Sequence, residues 1–159
     1  MLERYTEKAR RTLFFARGEA SEFGSRCIGS EHLLLGLLRE NRALVKLLPN
    51  PDFAIDSLRK HIDGHTNVRE KIPTSVDLPI SEECQHILQY ASEEADRLAH
   101  KYIGTEHLLL GLLREEGCYA AQVLKQCGVT LEAFREHVVR TDRTLRTDRT
   151  LRTDQTWRS

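Results

Sequence analysis

Residues 28–40, Ile-Gly-Ser-Glu-His-Leu-Leu-Leu-Gly-Leu-Leu-Arg-Glu, recur at 103–115 with one change, Ser30 becoming Thr105. A chain that repeats itself in this way folds as two copies of one unit, and neither copy need bury its apolar face alone. The offset is 75 residues from Thr6/Ser81 to Glu40/Glu115. It then slips by one, so that 55–62 matches 131–138. Repeat one therefore occupies about 4–62 and repeat two about 80–140, joined by a linker at 63–79 and followed by a tail at 141–159.

Helical periodicity fills both copies. Ala9, Leu13, Ala16, Ala20 and Phe23 recur at steps of four and three, as do Cys84, Leu88, Ala91, Ala95 and Leu98, which marks one buried helix stripe in each repeat. Thr6 and Ser81 stand at N-cap positions, with Glu7, Glu82 and Glu83 in the first turn where the dipole favours carboxylates. Gly24 is a stop signal. Ser30 and Thr105 read as the N-caps of a second helix over Leu33–Glu40 and Leu108–Glu115, apolar nearly all round and suited to the middle of a bundle. Gly36 and Gly111 cost about 1 kcal/mol in mid-helix, which predicts that another helix crosses there and leaves no room for a Cβ. Third helices are expected at Ala43–Leu48 and Tyr119–Gln126, fourth helices at Asp52–Ile62 and Thr130–Arg140, and no segment reads as a strand. The fold class is all-α: two tandem four-helix repeats packed face to face as one eight-helix domain over 1–140, with pseudo-two-fold symmetry.

The linker, polar and punctuated by Pro73 and Pro79, reads as a loop. The tail repeats Arg-Thr-Asp-Arg-Thr-Leu every six residues. That period turns about 240° per step on a helix and scatters Leu145, Leu151 and Trp157, so disorder is expected ahead of a strand or a continued helix.

Composition narrows the functional classes. The chain is 40% apolar and 30% charged, with no apolar run long enough to span a membrane and no secretory signal at Met1-Leu2-Glu3-Arg4, which points to the cytoplasm. Formal net charge is zero, and without the last twenty residues 18 basic face 21 acidic side chains, so nucleic acid is not an expected partner. Cys27, Cys84, Cys118 and Cys127 fall at non-equivalent places in the two copies and lack C-x-x-C spacing; they read as buried thiols rather than disulfides or metal ligands. His61 and His65 are four apart, but no third ligand is evident.

Glu31-His32 and Glu106-His107 admit an acid/base reading, and hence a small helical hydrolase as a rival function. Against it, adjacent helical side chains diverge by about 100°. The structural alternative has His32 and His107 hydrogen-bonding across the repeat while Glu31 and Glu106 satisfy the helix N-terminus. The Arg-rich tail admits a basic arm, but its interspersed Asp residues halve the charge.

With these residues in view, Thr6-Glu7-Lys8-Ala9 followed by two Ile-Gly-Ser/Thr-Glu-His-Leu-Leu-Leu-Gly-Leu elements resembles the double Clp repeat at the amino terminus of AAA+ unfoldases, most closely the ClpC type. The resemblance implies a non-enzymatic interaction domain without cofactor or metal, which binds adaptors or substrates for Clp-dependent proteolysis. There is no G-x-x-x-x-G-K-[ST] loop to bind ATP, so a separate Clp AAA+ unfoldase is an implied partner, and a stand-alone decoy that sequesters Clp ligands is an alternative. The resemblance also implies that Glu31 and Glu106, beside Ser30 and Thr105, bind phosphoarginine, and that Leu2, Tyr5 and Ile80 occupy the place of an apolar peptide groove.

Overall fold

The computed structural model describes residues 3–47, 51–65, 70–73 and 76–141. Repeat one contains α1 (Glu7–Glu22), α2 (Ser30–Glu40), α3 (Arg42–Leu47) and α4 (Pro51–His65); repeat two contains α5 (Glu82–Arg97), α6 (Thr105–Arg114) and α7 (Tyr119–Gln126). An eighth helix, α8, spans 131–141. These eight helices, with no extended strand among the described residues, make the all-α double repeat that the duplication predicts. α4 runs three residues further than the sequence suggested, through Gly64 into the linker, a single glycine costing only about 1 kcal/mol against continued helix. The apolar linker residue Val68 and all of the tail beyond Thr141 lie outside the described residues, as does Leu2.

Both first helices begin and end alike. The hydroxyls of Thr6 and Ser81 accept the N–H of Ala9 and Cys84, each at 3.1 Å, as N-caps do. At the far end Ser25 N–H reaches Ala20 O at 2.9 Å and His100 N–H reaches Ala95 O at 2.8 Å, closing a Schellman turn in each copy. Such a turn needs a left-handed residue, and repeat one supplies Gly24 at φ 67°. Repeat two supplies Ala99 at φ 57°, a position that strains any residue with a Cβ.

The buried centre is the duplicated leucine run. Leu33, Leu34, Leu35, Leu37 and Leu38, and their equivalents Leu108, Leu109, Leu110, Leu112 and Leu113, are all buried, each contributing about 1.5–3 kcal/mol relative to exposure. α1 crosses α2 at Gly36, where a Cβ would lie 2.5 Å from the Thr12 carbonyl oxygen; α5 crosses α6 at Gly111, where it would lie 2.4 Å from Ile87 O. The expected close crossing is therefore present in both copies. α2 also touches α5, α6 and α7, so the two repeats share one core.

An exchange of backbone bridges ties the repeats together. Thr6 N–H donates to Ile103 O and Ile103 N–H to Arg4 O, both at 2.9 Å, so that Tyr5 runs parallel to Ile103. By the same rule Ile28 N–H reaches Pro79 O at 2.9 Å and Ser81 N–H reaches Ile28 O at 3.0 Å, setting Ile28 beside Ile80. The segment ahead of each first helix thus pairs with the segment ahead of the other repeat's second helix. Side chains add to the seam: Asn41 Nδ2 donates to Thr105 Oγ1 at 3.0 Å, and His61 stacks on Tyr119 with ring centres 3.4 Å apart.

Candidate functional site

Each repeat opens its second helix with the same turn, and the turn is built differently from the sequence expectation. Gly29 and Gly104, not Ser30 and Thr105, are the N-caps of α2 and α6. The reason lies three residues on. His32 Nδ1 accepts the N–H of Gly29 at 2.9 Å, and His107 Nδ1 accepts that of Gly104 at 2.8 Å, the reach-back half of a capping box with histidine in the usual place of Glu or Gln. Ser30 and Thr105 become first-turn residues, 0% and 4% exposed, and the Thr105 hydroxyl is engaged by Asn41.

The histidines are fixed in tautomer by these bonds. A ring nitrogen that accepts a backbone N–H is unprotonated, so the proton of each neutral imidazole sits on Nε2. In repeat two His107 Nε2–H faces His100 Nδ1 at 2.8 Å. In repeat one Ser25 stands where repeat two has His100, and the buried Nε2 of His32 meets no acceptor among the described residues. Of the hydrogen bonds expected across each repeat, His107 makes one, to His100 beyond the end of α5, while His32 makes none among the described residues. Burial holds the pKa of both histidines below the ordinary value, opposed by Glu31 beside His32 and Glu106 beside His107.

Glu31 and Glu106 are the parts of this turn that face solvent, with side chains 25% and 42% exposed. Each carboxylate folds back over its own N-cap: a Cβ added to Gly29 would meet Glu31 Oε1 at 2.5 Å, and one added to Gly104 would meet Glu106 Oε1 at 2.7 Å. The carboxylates therefore rest at the positive end of the helix, as the dipole favours. Glycine at the cap leaves them the room.

Glu and His approach to 3.7 Å in repeat one and 3.5 Å in repeat two, yet the facing Nδ1 already accepts a backbone N–H and both rings are 1% exposed. Two acceptors cannot share a proton that neither carries, so the geometry gives the hydrolase reading no proton-transfer pair. The same bonds bear on His100, Glu106 and His107, whose ligand atoms lie within 4.8 Å of one another. Both nitrogens of His107 are engaged, and a cation would have to break one of those bonds.

Of the apolar candidates, Tyr5 is buried at the Ile103 bridge, and burial raises its phenol pKa. Ile80 is half-buried and shares a small apolar cavity with Leu13, Ile28, Leu33, Cys84 and Leu88. Cys84, Cys118 and Cys127 are buried as the sequence suggested, burial pushing Cys84 up to about 12, whereas Cys27 is only half-buried.

A feature the sequence did not disclose is a carboxylate sunk into each repeat. Glu94 has a side chain 2% exposed, paired with Arg135 and lying 3.6 Å from Arg114. Glu19, its equivalent, pairs with Arg59 at 3.5 Å. A glutamate kept at one position in both copies, with an arginine kept in both fourth helices, is the signal that could have found the pair.

The sequence profile of the Clp repeat (R) N-terminal domain matches residues 4–95 and again 79–156. The chain belongs to this family. It is 36% identical over 141 residues to the ATP-dependent Clp protease ATP-binding subunit ClpA homolog of Cyanidium caldarium, covering 88% of this chain and 16% of that protein. It is 33% identical over 141 residues to the negative regulator of genetic competence ClpC/MecB of Bacillus subtilis, covering 88% and 17%. The chain thus spans a small part of the length of these relatives. Among solved structures it is similar to the N-terminal domain of the Clp-associated chaperone ClpD from Arabidopsis thaliana, with 26% identity, a TM-score of 0.69 and coverage of 90% and 97%. The Hsp104 N-terminal domain of Candida albicans shares the fold at 17% identity and a TM-score of 0.66, covering 84% and 88%. Among the described residues of this Clp-repeat chain, no helix is long and apolar enough to cross a membrane.

Proposed function

We infer that this Clp-repeat domain is a docking module that binds adaptor or substrate proteins for a Clp unfoldase, and that Glu31 and Glu106 are two equivalent contact points for phosphoarginine on those proteins. The observation that carries the reading is the pair of half-exposed carboxylates at equivalent helix starts, each beside a buried, neutral histidine that holds the turn rigid. A carboxylate pairs with a guanidinium, and first-turn backbone N–H groups next to Ser30 and Thr105 receive phosphate oxygens. The buried hydroxyls of Ser30 and Thr105 shape the turn from inside and leave ligand contact to the glutamate and the backbone.

The test is capture of an arginine-phosphorylated protein on the immobilised full chain, with the same protein after dephosphorylation as control. Retention of the phosphorylated form alone, lost in the Glu31→Ala plus Glu106→Ala variant, is the expected result. Equal retention of both forms would remove phosphoarginine from the account, and retention of neither would remove these carboxylates as a docking point.

A further inference from the structure

The two first helices match in the core and differ on the surface. Repeat one, 4–62, carries eleven basic against seven acidic residues and repeat two, 80–140, carries six against ten, so the halves hold opposite charge within a neutral chain. Part of the difference lies on the outer sides of α1 and α5. Where α1 has Lys8, Arg10 and Gly18, α5 has Glu83, Gln85 and Glu93 at the equivalent places.

α1 packs on α2 and α5 on α6, which leaves the opposite side of each first helix to solvent. On α1 that side shows Glu7, Arg10, Arg11 and Phe14 at steps of three and four, all exposed. Arg11 shares its charge with Glu7 and Glu40, whereas Arg10 Nε donates to a neutral group, Tyr5 O, at 3.2 Å. Phe14 is 69% exposed, the most of any large apolar side chain among the described residues. Gly18, one turn on, has nothing within 4 Å of its missing Cβ, so the ring stands clear on that flank. The matching side of α5 shows Glu82, Gln85, Gln89 and Glu93, all exposed, with Glu93 met by Arg114 at 2.7 Å.

We propose that the outer face of α1 in one copy of this chain docks on the outer face of α5 in a second copy, a weak and salt-sensitive self-association. The basic side of α1 meets the acidic side of α5, and Phe14 buries part of its ring against the aliphatic stems of Gln85 and Gln89. Charge selects the occupant. Two α1 faces, or two α5 faces, would bring like charges together, so the contact joins unlike faces and is heterologous. Formal net charge is zero, so no overall repulsion keeps a second copy away at neutral pH. The rival occupant of the α5 face is the chain's own segment 142–159, with five Arg against three Asp, which would cover that face without joining two chains.

Sedimentation equilibrium of the full chain tests the contact. At about 0.05 M salt the weight-average mass should rise above 18.3 kDa with protein concentration, and at about 0.5 M salt it should fall back towards that value. Arg10→Glu plus Gly18→Glu makes both faces acidic, the second change installing the residue that repeat two carries at this place. Glu82→Lys plus Glu93→Lys makes both faces basic and leaves Arg114 its contact with Glu94 at 3.6 Å. Each variant alone should stay a single chain, and an equimolar mixture of the two should associate. Phe14→Gln, again repeat two's residue, should weaken wild-type association about fivefold, as partial burial of one ring requires. A mass of 18.3 kDa at every concentration and salt, the result if 142–159 covered α5, would overturn the proposal. So would undiminished association of either charge variant or of Phe14→Gln, or a mixture no heavier than its components.

Discussion

Tyr5 and Ile103 run side by side in parallel, joined through Thr6 N–H to Ile103 O and Ile103 N–H to Arg4 O, and so residue 5 of one repeat is held by residue 103 of the other. Arg4 extends the link, donating to Ser92 Oγ at 2.9 Å and Lys101 O at 3.2 Å and pairing with Asp96. Because each copy lends its leading segment to its partner, neither half owns a complete set of contacts. A fragment of residues 1–78 should lack a cooperative urea transition by circular dichroism, while the full chain unfolds in one. A cooperative transition in the fragment would show that the repeats are independent.

The helix crossings make opposite demands on the glycines. Gly36→Ala and Gly111→Ala would drive a methyl into backbone at 2.5 Å and 2.4 Å, and each should destabilise the fold by about 1–3 kcal/mol despite alanine's better helix propensity. Gly18, in the middle of α1 with nothing within 4 Å of its missing Cβ, should behave in reverse, Gly18→Ala stabilising by about 1 kcal/mol. Chemical denaturation of the three variants reads both signs.

Ala99 holds a left-handed conformation that its counterpart Gly24 adopts without strain. Ala99→Gly should therefore raise stability by up to about 1 kcal/mol, and Gly24→Ala should lower it by about as much. Thermal unfolding of the pair checks the asymmetry.

Acid should weaken the fold through His32 and His107. Burial lowers both folded-state pKa values, so below about pH 6.5 the unfolded chain binds protons that the folded chain refuses, and stability falls as pH drops towards the folded pKa. Above that range both states are neutral and these groups contribute no slope. A double His32→Gln, His107→Gln variant should show a shallower fall of unfolding free energy between about pH 6.5 and pH 5, whatever its stability at pH 8.

Much of this structure was legible in the residues because it is local. Stripes at steps of three and four gave the first helices, Thr6 and Ser81 their caps, and Gly36 and Gly111 the crossing points. What escaped depends on contacts distant in sequence or on residues standing in for others. Hydroxyls lead the N-cap position, which points to Ser30 and Thr105 in α2 and α6, whereas here the cap is a glycine whose N–H is taken by a histidine three residues on. Glu19 and Glu94 read as solvated helix charges until Arg59 and Arg135 arrive from the fourth helices. The bridges of Tyr5 with Ile103 and Ile28 with Ile80 join segments with no strand character, so no local pattern announces them. At the candidate site the glutamates were legible from the repeat and the resemblance; that the neighbouring hydroxyls turn inward was not.

The proposed docking role is tested most directly by isothermal titration of free phosphoarginine into the full chain, its Glu31→Ala and Glu106→Ala variants, and the double variant. Two sites in wild type, one in each single variant and none in the double variant is the predicted result, the pseudo-two-fold turns acting as separate binding points. Absence of heat with wild type, or undiminished binding after both glutamates are removed, would contradict it.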